Sequence, residues 1–484
     1  MIINSLSFLL FFISVILIYY TFLKEKTVLQ NWLIFFASYF FYGMANWKMI
    51  PILFLTTVIF FILGQLIQKH KGLPATFYTT FGVILGVGIL LYFKYLNFFI
   101  QSFTDLLNGM GFQVNFETFA IILPLGISFF TFRLISYIIE INREKIEATT
   151  NFITFATYIS FFPSLMSGPI DKPNGFIPQL EKKRSFDYNL AVDGTLQIIW
   201  GMFKKMVIAD HLAHFINPVW NDISQHSGIT LILTALLYSI QMYTDFSGYS
   251  DMAIGVSKIL GFRISKNFNY PFFSRNVAEY WRNWHISLTS WLTDYIFMPL
   301  NVKMRNYGNT GLIVAIMINM LVVGLWHGSN WTFALFGFYH GALFIPLILT
   351  GSYNSRKKLK TNTWGLASFQ DTLRIVGTFL LVTLGLVIFR ADSISQFFEF
   401  IRGIFNVANP YFHLNSEINK LTPIFIFTTI MFALEWIYRS YEFPLLKIIE
   451  IKKSPLKWIF IYGIIMIIIL YGKFDQSSFI YFQF

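Results

Sequence analysis

Apolar runs of membrane-crossing length, separated by short polar loops, fill this chain from end to end. The first run extends from Ile2 to Leu23. It lacks a basic leader and a small-residue cleavage site, so it is expected to stay as a helix. Lys24 and Lys26 follow it, and Lys69, His70 and Lys71 follow the third run. The loops between, Gly43 to Lys48 and Ser102 to Gly111, carry one Lys or none. By the positive-inside rule the basic loops face the cytoplasm and the N-terminus lies outside. A fifth span is expected from Phe119 to Ile141, ahead of Arg143 and Lys145. Further crossings are expected at Leu190 to Asn217, Ile229 to Phe246, Gly311 to Trp326, Trp331 to Leu349, Leu373 to Phe389, Pro423 to Tyr438 and Trp458 to Tyr471. That makes about 11–12 transmembrane helices, each needing about 20 apolar residues.

Two stretches break the pattern. Phe152 to Met166 is apolar but short, is broken by Pro163, and has basic residues on both sides. Trp284 to Leu300 is interrupted by Asp294 and is likewise flanked by Arg and Lys. Cytoplasmic charge at both ends of a short segment fits a re-entrant element better than a crossing. Lipid tolerates irregular backbone only where protein or a wet cavity covers it, so two such segments imply a cavity open to the cytoplasm. Ser393 to Phe405 spaces Phe397, Phe398, Phe400, Ile401 and Phe405 among polar residues, as an amphipathic helix on the outer surface would.

Composition agrees with this picture. Of 484 residues, 55% are hydrophobic and 12% charged, and the mean hydropathy is +0.58; soluble proteins carry about twice that charge. The expectation is an all-α polytopic membrane protein forming one membrane domain over residues 1–484. The net charge of +12 lies in the loops between apolar runs, which argues for topology and against nucleic acid. No Cys is present, which excludes disulfides, thiolate metal sites and a thiol nucleophile.

Against that background two histidines stand out. His285 ends the block Tyr280-Trp281-Arg282-Asn283-Trp284-His285, and His327 lies in Gly324-Leu325-Trp326-His327-Gly328. The run around His327, from Gly311 to Thr350, holds no Asp, Glu, Lys or Arg. A titratable ring is seldom kept in such surroundings without a use. His340 lies about 220° further round an ideal helix and is expected to face elsewhere, in a structural role. Asp210, His211 and His214 have spacing that suggests a metal, but no further ligand lies near in sequence, so no metal is expected. Asp245 and Asp251 are read first as helix caps or pins. The basic loop from Arg356 to Lys360 is read as a topology determinant.

The motifs gain force from their order. Leu123-Pro124-Leu125-Gly126-Ile127-Ser128-Phe129-Phe130-Thr131-Phe132 comes first, then Ser167-Gly168-Pro169-Ile170 and Gly201-Met202-Phe203-Lys204-Lys205. Next are Tyr243-Thr244-Asp245-Phe246-Ser247-Gly248-Tyr249-Ser250-Asp251, Asn267-Phe268-Asn269-Tyr270-Pro271-Phe272 and Trp281-Arg282-Asn283-Trp284-His285-Ile286-Ser287-Leu288. Leu325-Trp326-His327-Gly328, Tyr339-His340-Gly341 and Phe389-Arg390-Ala391-Asp392 complete the series. This series resembles the membrane-bound O-acyltransferase superfamily, and within it the bacterial alginate O-acetyltransferase branch. The resemblance implies a ring of tilted helices around a thin central funnel. It places the family's near-invariant histidine on His327 and its second characteristic polar position on His285. Trp326, Trp284, Asn283, Asp245, Tyr249 and Asp294, within or beside these blocks, are the candidate substrate contacts. Asn283 and Thr293 stand where a basic residue is expected, and Asn301-Val302 where a Gly-Gly pair is expected.

The chemistry fits those residues. Acyl transfer from a thioester to a hydroxyl needs a base for the hydroxyl proton and a polar group near the carbonyl oxygen. Apolar surroundings favour the neutral imidazole, the form able to take that proton. Without Cys or a Gly-x-Ser-x-Gly elbow, direct transfer is simpler than an acyl-enzyme route. Without a P-loop, the energy must come from a pre-activated donor. The leading expectation is an O-acetyltransferase of the bacterial inner membrane. It would take acetyl from cytoplasmic acetyl-CoA, bind no cofactor, and serve an extracytoplasmic glycan such as alginate or peptidoglycan. The resemblance also implies a secreted or membrane-anchored acetyltransferase partner. The alternatives are D-alanyl transfer to teichoic acid from a carrier-protein thioester, and a transporter or flippase. The latter predicts paired repeats with matching broken helices, and the chain has none.

Overall fold

The computed structural model describes residues 2–355, 359, 361–362, 365–405, 415–450 and 455–474. The basic residues of the Arg356 to Lys360 loop, and Lys452 and Lys453, lie outside the described residues. Among the described residues the secondary structure is helical, with one isolated bridge between Thr361 and Ala367. Six helical runs there are long and apolar enough to cross a membrane, so the chain is a multi-pass membrane protein as expected. The runs Thr27–Lys69, Leu73–Gly109 and Ile286–His327 each hold more than one helix. Contacts divide the chain into two units, Met1–Gly194 with Ala253–Ser265, and Thr195–Met252 with Lys266–Phe484.

In the first unit, α1 (Leu6–Leu17) starts at Ser5, whose hydroxyl accepts the Phe8 N–H. α2 (Thr27–Asn46) and α3 (Ile50–Lys69) follow, then α4 (Leu73–Leu90) and α5 (Leu96–Gly109), joined by a π-helical turn at Leu91–Tyr95. Pro51 and Pro74 sit in the first turns of α3 and α4, where a missing N–H costs nothing. The expected fifth span is shorter than its apolar run. Residues 112–123 carry no regular structure, and α6 begins only at Ile127 and ends at Asn142. Pro124 and left-handed Gly126 (φ 69°) block helix to their N-terminal side.

The first expected re-entrant stretch is a broken pair, α7 (Phe152–Ser160) and α8 (Phe162–Leu165), interrupted at Phe161. The break leaves carbonyls without helical partners in a buried place, and Arg133 of α6 supplies the donors. Its guanidinium donates to the carbonyls of Tyr158 (3.2 Å), Ile159 (3.3 Å) and Pro169 (3.2 Å), and to the Ser164 hydroxyl (2.6 Å). α9 (Pro173–Glu181) follows, and Arg184 beyond it donates to the Tyr19 hydroxyl, Leu180 carbonyl and Asn31 side chain.

In the second unit the helical path continues from α10 (Tyr188–Met202) through a π-helical stretch at Phe203–Ala209 into α11 (Asp210–Asn221). α12 (Gly228–Ile259) runs well past the span expected at Ile229 to Phe246. Asp245 and Asp251 therefore lie in mid-helix and do not cap it. They act as pins: Asp251 pairs with Lys204 at 2.5 Å, and Asp245 with Lys205 at 2.8 Å. Lys205 also holds Asp210 at 2.7 Å, which ties that carboxylate into the same ionic cluster.

α13 (Val277–Asn283) and α14 (Ile286–Leu292) are separated by Trp284 and His285, and a π-helical turn leads from α14 into α15 (Met298–Met304). The chain turns at Gly308, and α16 (Gly308–His327) packs back against α15 and the π turn. α17 (Trp331–Leu349) lies against α16 at backbone contact: a Cβ on Gly324 would fall 2.1 Å from the Phe333 carbonyl oxygen, and one on Gly337 would fall 2.4 Å from that of Met320. α18 (Phe369–Arg390) packs on α17 and leads to α19 (Ile394–Ile404), the amphipathic helix anticipated within Ser393 to Phe405. α20 (Asn415–Ile437), α21 (Pro444–Glu450) and α22 (Pro455–Tyr471) end the described chain.

Candidate functional site

His327 is the last residue of α16, and the turn Gly328–Asn330 carries the chain into α17. The Asn330 side chain fixes that turn. Its oxygen accepts the Thr332 N–H at 3.1 Å, and its amide donates to the Asp392 carbonyl at 2.7 Å. Rings packed against the imidazole include Trp326 at 4.9 Å, Phe389 at 5.0 Å and Phe336 at 6.0 Å between centroids. The block Phe389-Arg390-Ala391-Asp392 thus packs its first residue on His327 and anchors the turn with its last. Only 4% of His327 is exposed.

His285 is fully buried and sits at the break between α13 and α14, in the left-handed region (φ 44°). Two strand-like bonds hold this strained link, from Ile286 N–H to the Asn267 carbonyl (2.8 Å) and from Asn269 N–H to the Asn283 carbonyl (3.0 Å). The ring lies edge-on to Phe246 at 4.7 Å and to Trp326 at 5.6 Å. Trp326 therefore contacts both histidines, and the two expected catalytic residues share one aromatic cluster.

His340 joins the same cluster, contrary to the expectation that it faces elsewhere. Its ring meets Phe336, which also contacts His327, at 4.6 Å, and its Nδ1 accepts the indole N–H of Trp281 at 3.2 Å. A 220° offset holds only along one unbroken helix, whereas the turn after His327 resets the direction of the chain.

Of the candidate substrate contacts, Trp326 and Trp284 are buried in this cluster, Trp284 against Phe268 at 5.0 Å and Tyr280 at 5.4 Å. Asn283 accepts from Asn269 at 3.2 Å and donates to the Ser274 hydroxyl at 3.3 Å. Tyr249 is buried along α12, Asp245 is held by Lys205, and Asp294 lies half-buried in the π turn after α14. A cavity of about 350 Å³ opens beside the histidine-bearing elements, lined in part by Trp281, Ile286, Ser290, Thr293, Asn319 and Val323. Ile286 adjoins His285, and Val323 lies one helical turn before His327.

Residues 141–369 match the profile of the membrane-bound O-acyltransferase family. The probable alginate O-acetylase AlgI of Pseudomonas aeruginosa is 35% identical over 412 residues, 84% of this chain and 75% of that one. The chain belongs to the membrane-bound O-acyltransferase family. As a member of that family it is a membrane O-acyltransferase, which sets the transporter reading aside. The peptidoglycan O-acetyltransferase of Helicobacter pylori is 30% identical over 85% of this chain and 81% of its own length. The teichoic acid D-alanyltransferase of Streptococcus thermophilus is 34% identical, over 48% of this chain and 58% of its own.

Arg133, and the contact of Asn267 with His285, are not among the sequence expectations. Arg133 could have been found by the logic that found the histidines, because it is the one charged residue between Phe119 and Ile139. Asn267 opens one of the ordered blocks, but only the fold brings it to His285.

Proposed function

We propose that this protein transfers acetyl from cytoplasmic acetyl-CoA toward an extracytoplasmic polysaccharide of the alginate or peptidoglycan kind, working in the bacterial inner membrane. The observation that carries this reading is the cluster in which Trp326 touches both His285 and His327. The cavity beside α14 and α16 gives a thioester arm a place to approach that cluster. The acceptor hydroxyl oxygen attacks the thioester carbonyl carbon, a C–O bond forms, and the C–S bond breaks as the thiolate leaves. His327 takes the hydroxyl proton and returns it to the thiolate, so atoms and charge balance. A secreted or membrane-anchored acetyltransferase partner would complete delivery when the glycan lies beyond the membrane.

D-alanyl transfer is the second reading, and it rests on a similarity covering a smaller share of the chain. Membranes carrying the protein, given radiolabelled acetyl-CoA on their cytoplasmic side, separate the two. Base-labile label on isolated polysaccharide is the expected result. No label from acetyl-CoA, with label appearing only when radiolabelled D-alanine on its carrier protein is the donor, would overturn the acetyl reading.

A further inference from the structure

We infer that Asn267 is a positioning residue that fixes the tautomer of His285 and makes it a hydrogen-bond acceptor toward substrate. This rests on the reading of His285 given above, but its evidence is geometric. Asn267 is fully buried. Its side-chain oxygen lies 2.9 Å from His285 Nδ1, 2.9 Å from the Ser287 hydroxyl and 3.4 Å from the Ser287 backbone N–H. Its amide nitrogen donates to the Ser250 hydroxyl at 3.1 Å. A backbone N–H can only donate, so the atom facing Ser287 is the oxygen and the amide orientation is settled.

An amide oxygen can only accept, so His285 Nδ1 must carry the proton in that bond. In the neutral ring the lone pair then sits on Nε2. A neutral His285 therefore accepts a hydrogen bond from substrate, an acceptor hydroxyl or the amide N–H of a pantetheine arm, and does not donate to the thioester oxygen. The Asn267 carbonyl also takes the Ile286 N–H, so one residue sets both the strained backbone and the ring it presents. His340 is wired the opposite way. The Trp281 indole can only donate, so Nδ1 of His340 holds the lone pair and Nε2 the proton.

The test is a ring ¹⁵N spectrum of the full chain in lipid nanodiscs, labelled only at its 8 histidines. The His285 signals are those missing from His285→Gln. The expected spectrum has a protonated Nδ1 and an unprotonated Nε2 in wild type and in Asn267→Asp, which keeps an acceptor. In Asn267→Leu the two signals should exchange or average, and acetyl transfer should fall about 10–100-fold, the usual effect of losing an orienting partner. Asn267→Asp should restore much of that loss, and Asn267→Leu combined with His285→Ala should be no worse than His285→Ala alone. An unprotonated Nδ1 in wild type overturns the inference even if Asn267→Leu does not fold. So does a folded Asn267→Leu with wild-type transfer. If His285→Ala itself transfers normally, the role given to His285 fails, and the tautomer stands or falls on the spectrum.

Discussion

Two helices are broken in mid-course, one in each unit, and they are mended by different means. At Phe161 the loose carbonyls of α7 are taken up by Arg133, a fixed cation whose bonds all serve the backbone or Ser164. At His285 the backbone is held by neutral partners, and the residue at the break is itself a titratable ring in a left-handed conformation. Such conformations cost on the order of 1–3 kcal/mol and persist where the surroundings over-determine them. The first break is closed on itself, while the second holds the buried ring that the proposed function makes part of the site. Interrupting a helix in apolar surroundings is thus a structural device at one site and, on the proposed function, a means of presenting chemistry at the other.

The contrast predicts a different kind of failure at each break. Arg133→Leu leaves buried carbonyls without donors, at a cost of about 1–3 kcal/mol each. The protein should then be nearly absent from membranes, as detection-coupled size-exclusion of a tagged chain would reveal; normal accumulation would show that Arg133 is dispensable. His285→Ala should do the reverse, with wild-type protein level and acetyl transfer reduced about 10-fold or more. Loss of protein in step with activity would make this break structural as well.

Smaller effects sharpen the picture. Gly385→Ala places a Cβ 2.4 Å from His340 Nε2, so the ring must shift against Phe336. Overpacking of this kind costs about 1–3 kcal/mol. A lower thermal midpoint with only a few-fold loss of transfer is expected, and unchanged melting would mean that the ring yields freely. The smallest effect lies at the exposed pair Lys183–Glu25 (2.8 Å), in which Lys183 holds the Glu25 carboxyl below its usual range. Its slight contribution is present above the unfolded-state pKa, about 4.3 for Glu. It is lost as pH falls through the lower folded value. Glu25→Gln should leave transfer at neutral pH unchanged, and any stability difference from wild type should vanish in acid.

Much of this was legible in the sequence, for identifiable reasons. The span expected at Trp331 to Leu349 coincides with its helix, which Asn330 caps, while neighbouring spans differ by a few residues at their ends. The start of α6 was misread because an apolar run does not reveal where Pro124 and Gly126 forbid helix. Asp245 and Asp251 were only half understood, since their lysine partners lie far off in sequence. His327 and His285 stood out by chemistry, a titratable ring among apolar neighbours. Their shared contact with Trp326 is a product of packing that spacing alone does not encode. The role of Asn267 is hidden for the same reason: it opens one of the ordered blocks, but an asparagine in a loop carries no charge anomaly that ties it to His285.

The central claim is that the imidazole of residue 327 takes the proton of the attacking hydroxyl. The most direct measurement is base-released acetate on polysaccharide from cells making only His327→Ala, with membrane protein quantified in the same samples. A fall of about 10²–10⁴-fold at wild-type protein level is the predicted result. Full acetylation by His327→Ala would contradict the account.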